Sequence, residues 1–220
     1  MIDSQLQALI SAIEQADSPA RLIGAVRALA AARLESGIPT LIQALGYNNP
    51  GAAIAAVDGL VQLGVLAVEP LLEQIDGYNY GARAYAIRAL AAIADPRALE
   101  VLLSAAATDF APSVRRAAAK GLGSLQWQYL PAQQCIQAQV EALNVLLEVS
   151  EDSDWAIRYA AVVGLQGLGE SAVAPKILHA VSDRLHQMQL ADGDLATQAR
   201  AKFACDRLAA ISNPQLPVYC

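Results

Sequence analysis

The 220-residue sequence predicts an all-α protein: a right-handed α-α superhelix, or α-solenoid, of about six helix pairs in a single repeat domain over residues 1–220. Three observations carry this expectation. A leucine-centred helical pattern recurs six times, turn-forming clusters separate the helices within the pairs, and the composition favours close helix packing. Alanine supplies 46 residues, whereas only 11 are aromatic, so the 55% hydrophobic fraction is mostly small and aliphatic. With 16% charged residues the chain buries a large core, and composition excludes disorder.

The anchors are Leu29, Leu60, Leu90, Leu122, Leu165 and Leu208, spaced by 31, 30, 32, 43 and 43 residues. Periods of this size mark stacked helical repeats. Four positions before each anchor stands an alanine: Ala25, Ala56, Ala86, Ala118, Ala161 and Ala204. Three positions after come Ala32, Leu63, Ile93, Leu125, Leu168 and Ile211. Spacings of three, four and seven put these residues on one helical face.

The elements follow in order. The first pair is 3–16 with 19–33. The second is 38–46 with 51–64, turning at Asn48-Asn49-Pro50-Gly51, and the third is 67–75 with 81–94, turning at Asp76–Gly81. The fourth, 97–107 with 112–125, turns at Asp109-Phe110-Ala111-Pro112-Ser113, and the fifth, 132–149 with 154–168, at Glu151-Asp152-Ser153-Asp154. These clusters have turn and N-cap chemistry. The sixth pair is 173–187 with 195–212; extra residues around 126–138 and 187–194 account for the two longer spacings. No strand pattern or domain linker interrupts the series.

Three second helices begin with an apolar or small residue followed by arginine: Ala82-Arg83, Val114-Arg115 and Ile157-Arg158. Asp95-Pro96-Arg97 opens the first helix of the next unit. This combination resembles HEAT repeats, in which such arginines tie adjacent turns together.

Several function classes drop out. A net charge of −6 and a pI of about 4.9 argue against a nucleic-acid groove or an anionic membrane surface. No uninterrupted apolar run has the length to span a bilayer, and Met1-Ile2-Asp3-Ser4 lacks a signal-peptide start. Cys135, Cys205 and Cys220, odd in number and far apart, form no disulfide framework and place the protein in a reducing cytoplasm. Cys135 and Cys205 read as small buried hydrophobes. His179, Asp183 and His186 share part of a helix face, but without a cysteine or a third close ligand they read as a solvated face rather than a metal site. Gly121–Gly123 and Gly164–Gly169 fall inside repeat helices, where small residues serve packing rather than phosphate binding.

The informative surface is the one the core leaves open. Two positions before the anchors stand Arg27, Asp58, Arg88, Lys120, Val163 and Asp206; six before stand Ile23, Ile54, Ala84, Arg116, Tyr159 and Lys202. In an otherwise acidic protein, these rows set cations around one carboxylate, Asp58. Seven of the 11 aromatic residues (Tyr47, Tyr78, Tyr80, Tyr85, Phe110, Trp155 and Tyr159) fall in the turns or at the starts of these helices. Such a surface suits a planar conjugated ligand with carboxylate arms: rings stack on it, arginines pair with its carboxylates, and a carboxylate accepts from its ring N–H groups.

The stretch Asp76-Gly77-Tyr78-Asn79-Tyr80-Gly81-Ala82-Arg83-Ala84-Tyr85-Ala86-Ile87-Arg88-Ala89-Leu90 resembles the signature of the HEAT-like phycobilin lyases. So does Leu45-Gly46-Tyr47-Asn48-Asn49-Pro50-Gly51 ahead of Ala56-Val57-Asp58-Gly59-Leu60. The similarity runs from about Asp17 to Leu168, and the short chain resembles the F-type subunits of the cyanobacterial E/F lyases. The resemblance implies a heterodimer with an E-type subunit that attaches phycocyanobilin, as substrate rather than cofactor, to a cysteine of the phycocyanin α-subunit. The bond is a thioether formed by adding the acceptor thiol to the ethylidene of the first pyrrole ring. Free bilins add spontaneously with errors, so such an enzyme works largely by positioning and shielding. Under this reading Asp58 holds or protonates the pyrrole nitrogens. Arg27, Arg88 or Lys120 pairs with the propionates, Tyr78 and Tyr80 close over the chromophore, and Tyr159 lines its side. Isomerising relatives carry a His-Cys pair; here neither histidine adjoins a cysteine in the sequence, which implies attachment without isomerisation. The competing expectation is a non-catalytic HEAT scaffold or chaperone that binds phycobiliproteins, for example during phycobilisome degradation.

Overall fold

The computed structural model describes residues 2–75 and 80–212, and the chain falls into two compact units, 1–98 and 99–220. The described residues are helical, without strands. In the first unit α1 (Ile2–Glu14), α2 (Pro19–Ala32), α3 (Ile38–Ala44), α4 (Pro50–Leu63), α5 (Val68–Gln74) and α6 (Tyr80–Ile93) form three pairs. The second unit holds α7 (Leu99–Thr108), α8 (Pro112–Ser124), α9 (Ala132–Val149), α10 (Trp155–Glu170), α11 (Pro175–Ala191) and α12 (Leu195–Ser212). Every predicted pair is present, with boundaries within a few residues of those expected.

Local chemistry sets the boundaries. Ser18 Oγ accepts from the Arg21 N–H at 3.3 Å and Asn49 Oδ1 from the Ala52 N–H at 3.1 Å. Prolines 19, 50, 112 and 175 occupy the first helical turns, where no N–H is needed. Gly64, at φ 61°, ends α4 in a conformation that favours glycine. It lies inside Pro50–Gln74, the one described stretch apolar enough by length and composition to cross a membrane (mean hydropathy 1.9). This stretch comprises α4, a single 3₁₀ turn and α5, and half of it is buried in the protein.

The anchor leucines Leu29, Leu60, Leu90, Leu122 and Leu165 are fully buried, and the alanines four positions earlier are buried from Ala56 onward. Small residues bring backbones together. A Cβ on Gly59 would come 2.6 Å from the Ala30 Cβ, fixing the approach of α4 to α2. Between α8 and α10 the contact is tighter still: a Cβ on Gly123 would come 2.6 Å from the Gly164 Cα, and one on Gly164 would overlap the Ala119 carbonyl oxygen. Rings play one part in this core that the composition did not suggest. Trp127 is buried in the segment between α8 and α9.

In the second unit, the arginines that open α8 and α10 reach the next turn. Arg115 pairs with Asp152 at 2.6 Å and donates from Nε to the Ala106 carbonyl, capping α7. Arg158 forks onto both oxygens of Asp192, each at 2.8 Å, and also donates to the Asp152 carbonyl. The carboxylates are held by their own turns: Asp152 Oδ1 accepts from the Asp154 N–H and Asp192 Oδ1 from the Asp194 N–H. Arg115 and Arg158 therefore tie turns together as the repeat pattern implies. Arg97 makes a different fork, onto Asp95 two residues back, and adds Glu69 and the Val65 carbonyl.

Turn chemistry also corrects the register of the last pair. Gln198 donates to the Asp192 carbonyl as Arg158 does to that of Asp152, so residues 192–198 repeat 152–158 at an interval of 40. The 43-residue leucine spacing is thus three too long, and Leu208 matches Leu168 rather than Leu165. The residues of α12 that match the outward rows of the other repeats become Ala199 and Phe203, not Lys202 and Asp206.

Two outcomes follow from this packing. Gly164→Ala forces α8 and α10 apart and should lower stability by roughly 2–3 kcal/mol in chemical denaturation. Asp192→Asn removes the forked charge partner of Arg158 at a side chain only 4% exposed, at a cost of about 3 kcal/mol. The fork to Arg158 holds the Asp192 carboxyl below its usual range, against the opposing effect of burial. Its contribution is therefore complete above about pH 4 and lost as pH falls through the lowered value. Acid unfolding of Asp192→Asn should accordingly be shallower than that of the unaltered protein.

Candidate functional site

The second helices of the first unit each turn one ridge outward. Between Gly51 and Val61 only Ile54 and Asp58 of α4 are exposed. On α6 the exposed residue of the corresponding turn is Arg88, and on α2 Arg27 is exposed at the matching offset. Helix α4 packs against both α2 and α6. Arg27, Asp58 and Arg88 therefore occupy equivalent open positions on three successively packed helices, as their spacing predicts. Asp58 and Arg27 form no hydrogen bond or ion pair among the described residues, so both are available to a ligand. Arg88 lies 5.7 Å from the centroid of the Tyr85 ring, which orients the guanidinium without neutralising it.

In the second unit Lys120 is the exposed residue of α8 between Val114 and Gly123, and its ammonium too lacks a described partner. Tyr159 is half-buried on α10, below Trp155, which is 50% exposed. Tyr78 lies outside the described residues. Tyr80 opens α6, and its side chain lies outside them too. On α12, Lys202 and Asp206 pair with each other at 2.8 Å, so the charges assigned there by the leucine count cancel.

The histidines separate. His179 faces Asp183 at 3.3 Å, whereas His186 Nδ1 lies 3.8 Å from Cys205 Sγ and 3.3 Å from the Ser182 carbonyl oxygen. No group of three metal-ligating side chains occurs among the described residues. The glycines of α8 and α10, superficially phosphate-like in sequence, are occupied by helix contact.

The HEAT repeats family profile matches residues 68–135. A phycocyanobilin lyase subunit beta from Nostoc sp. (strain PCC 7120 / SAG 25.82 / UTEX 2576) is 55% identical over 196 residues, covering 89% of this chain and 96% of the relative. The phycocyanin alpha phycocyanobilin lyase CpcF of Synechocystis sp. (strain ATCC 27184 / PCC 6803 / Kazusa) is 55% identical over 172 residues, 78% of this chain and 80% of its own. This chain belongs to the phycocyanobilin lyase beta-subunit family. A chain in the solved complex of CpcE and CpcF of phycocyanin lyase from Nostoc sp. PCC7120 superposes with a TM-score of 0.72 at 57% identity, covering 77% of this chain and 98% of that one.

Although neither histidine adjoins a cysteine in the sequence, His186 meets Cys205 in space. The two residues are 19 positions apart, on α11 and α12, yet adjacent in space. Burial, reinforced by Asp206, pushes the Cys205 thiol up, so the thiol rather than the thiolate is present at neutral pH. Alkylation of Cys205 by iodoacetamide, followed by peptide mass spectrometry at pH 7.5, should accordingly be slower than that of a free cysteine. A rate equal to or above that of free cysteine contradicts the shielded, protonated state.

Proposed function

We propose that this chain is the F-type subunit of a heterodimeric bilin lyase. With an E-type partner, it binds phycocyanobilin in the cytoplasm and promotes its attachment to a cysteine of the phycocyanin α-subunit, without isomerisation. The observation that carries the reading is the near end-to-end identity with phycocyanobilin lyase beta subunits, 55% over 89% of this chain. The unpaired Arg27 and Asp58 and the Tyr85-supported Arg88 supply exposed charges suited to the propionates and ring N–H groups of the substrate.

The reaction is an addition and consumes no oxidant. The acceptor thiol sulfur bonds to the ethylidene carbon of the first ring, the carbon–carbon double bond is lost, and the thiol proton is balanced by protonation of the tetrapyrrole. Asp58 acts where that proton moves, accepting from pyrrole N–H groups or returning a proton to the ring system. Arg27 and Arg88 pair with the propionates and fix the ring plane. Lys120 and Tyr159 offer charge and ring chemistry on the second unit. Positioning limits addition to one carbon and one face, which free bilin does not achieve. The protonated Cys205 is not poised as a competing nucleophile, consistent with attachment alone.

Co-expression of both subunits with apo-α-phycocyanin and bilin-forming enzymes, read as covalently bound chromophore, tests this. Asp58→Asn should slow attachment by about 100-fold, and Arg88→Ala by about tenfold. Unchanged yields in both variants remove the site assignment. No attachment by the unaltered pair removes the lyase reading and favours a phycobiliprotein-binding scaffold.

A further inference from the structure

Arg200 stands where the repeat has no place for a cation. At the 40-residue interval fixed by the turns, it matches Ala160 of α10, which is fully buried. Its side chain is half-buried between the α10 and α12 layers; Nη1 is sealed from solvent and meets no acceptor among the described residues. Its one described contact is a ring: the guanidinium carbon sits 5.2 Å from the centroid of Phe203, which is 54% exposed. The Tyr159 hydroxyl and the Glu170 carboxylate are the charged or titratable groups that bear on it, and Glu170 is turned toward Arg207 at 3.8 Å. Burial pulls the guanidinium below its ordinary range, and these two neighbours only partly offset the effect.

A cation drawn partly out of water without a carboxylate in hydrogen-bond contact is costly to the free protein. A ligand that brings the carboxylate recovers that cost on binding. The flanking rings, Phe203 and half-buried Tyr159, select one whose carboxylate hangs from a planar conjugated body. We infer that Arg200, with Phe203 and Tyr159, forms a carboxylate-binding subsite on the second unit that takes a propionate arm of an open-chain tetrapyrrole. The subsite rests on the bilin-lyase reading and adds a contact that the repeat spacing did not reveal.

The test compares phycocyanobilin with its dimethyl ester, titrated by absorbance into the full chain assembled with its E-type partner. Arg200→Ala should weaken binding of the free acid roughly tenfold or more, the size of one charge-assisted hydrogen bond, and leave the ester unchanged. Arg200→Lys, which keeps the charge, should restore most of the loss. Arg200→Gln, which keeps the side-chain bulk over Phe203, carries the same comparison should the alanine variant fail to fold. Equal losses for acid and ester, or no loss for the acid, overturn the subsite while leaving the lyase reading intact. Loss of assembly with the E-type subunit also overturns it and assigns Arg200 to the subunit interface. If the unaltered complex binds neither compound, the subsite and the lyase reading both fall.

Discussion

One short ionic contact, an arginine at the start of a second helix paired with an aspartate in the following turn, sets the geometry on which the second unit depends. Arg115 to Asp152 and Arg158 to Asp192 each join residues over 30 positions apart, and each carboxylate is itself fixed by a backbone N–H of its own turn. Planar guanidinium and planar carboxylate meet in few orientations, so the pair fixes the rotation of one helix relative to the next as well as their distance. Rotation is what decides which side chains face out. The partners are largely buried, with 16% and 4% exposure at Arg158 and Asp192, so the contact is little screened by salt.

Close packing does the rest. Where glycine or alanine faces glycine or alanine, backbones approach until only one narrow ridge of each inner helix is left in water, as on α4 with Ile54 and Asp58. Specificity in a phycocyanobilin lyase beta subunit is thereby confined to a few positions per repeat. An unpaired charge at one of these positions carries information, because nothing in the packing requires it. Asp58 and Arg27 are of this kind, whereas Lys202 and Asp206 are a self-contained pair.

Most of the architecture was legible in the sequence. The leucine anchors, the alanines before them and the turn clusters placed all six helix pairs, and the resemblance in the Tyr-Asn-Tyr-Gly-Ala-Arg block reached the family that near-full-length relatives then established. The last pair was misregistered for a physical reason. Residues three apart share a helical face, so Leu208 imitated an anchor although the hydrogen bonds of the turn place it with Leu168. That slip of three residues concealed Arg200 and Phe203. The contact of His186 with Cys205 was out of reach for another reason: it joins two helices whose mutual rotation no local pattern encodes.

At the place of Arg158, the sixth pair carries Gln198, which keeps the local bond to the turn carbonyl but brings no positive charge to a further turn. The coupling between repeats is thus written residue by residue and can be edited in the same way. A repeat inserted between the fifth and sixth pairs inherits a donor in Arg158, and it needs an aspartate at its own turn and an arginine at the start of its second helix to hold Asp192. One grafted after α12 would first need Gln198→Arg, since the glutamine leaves α12 without a cation to clasp it. Within the second unit the clasp runs one way: the fifth pair is held by Arg115 of the fourth, and the sixth by Arg158 of the fifth.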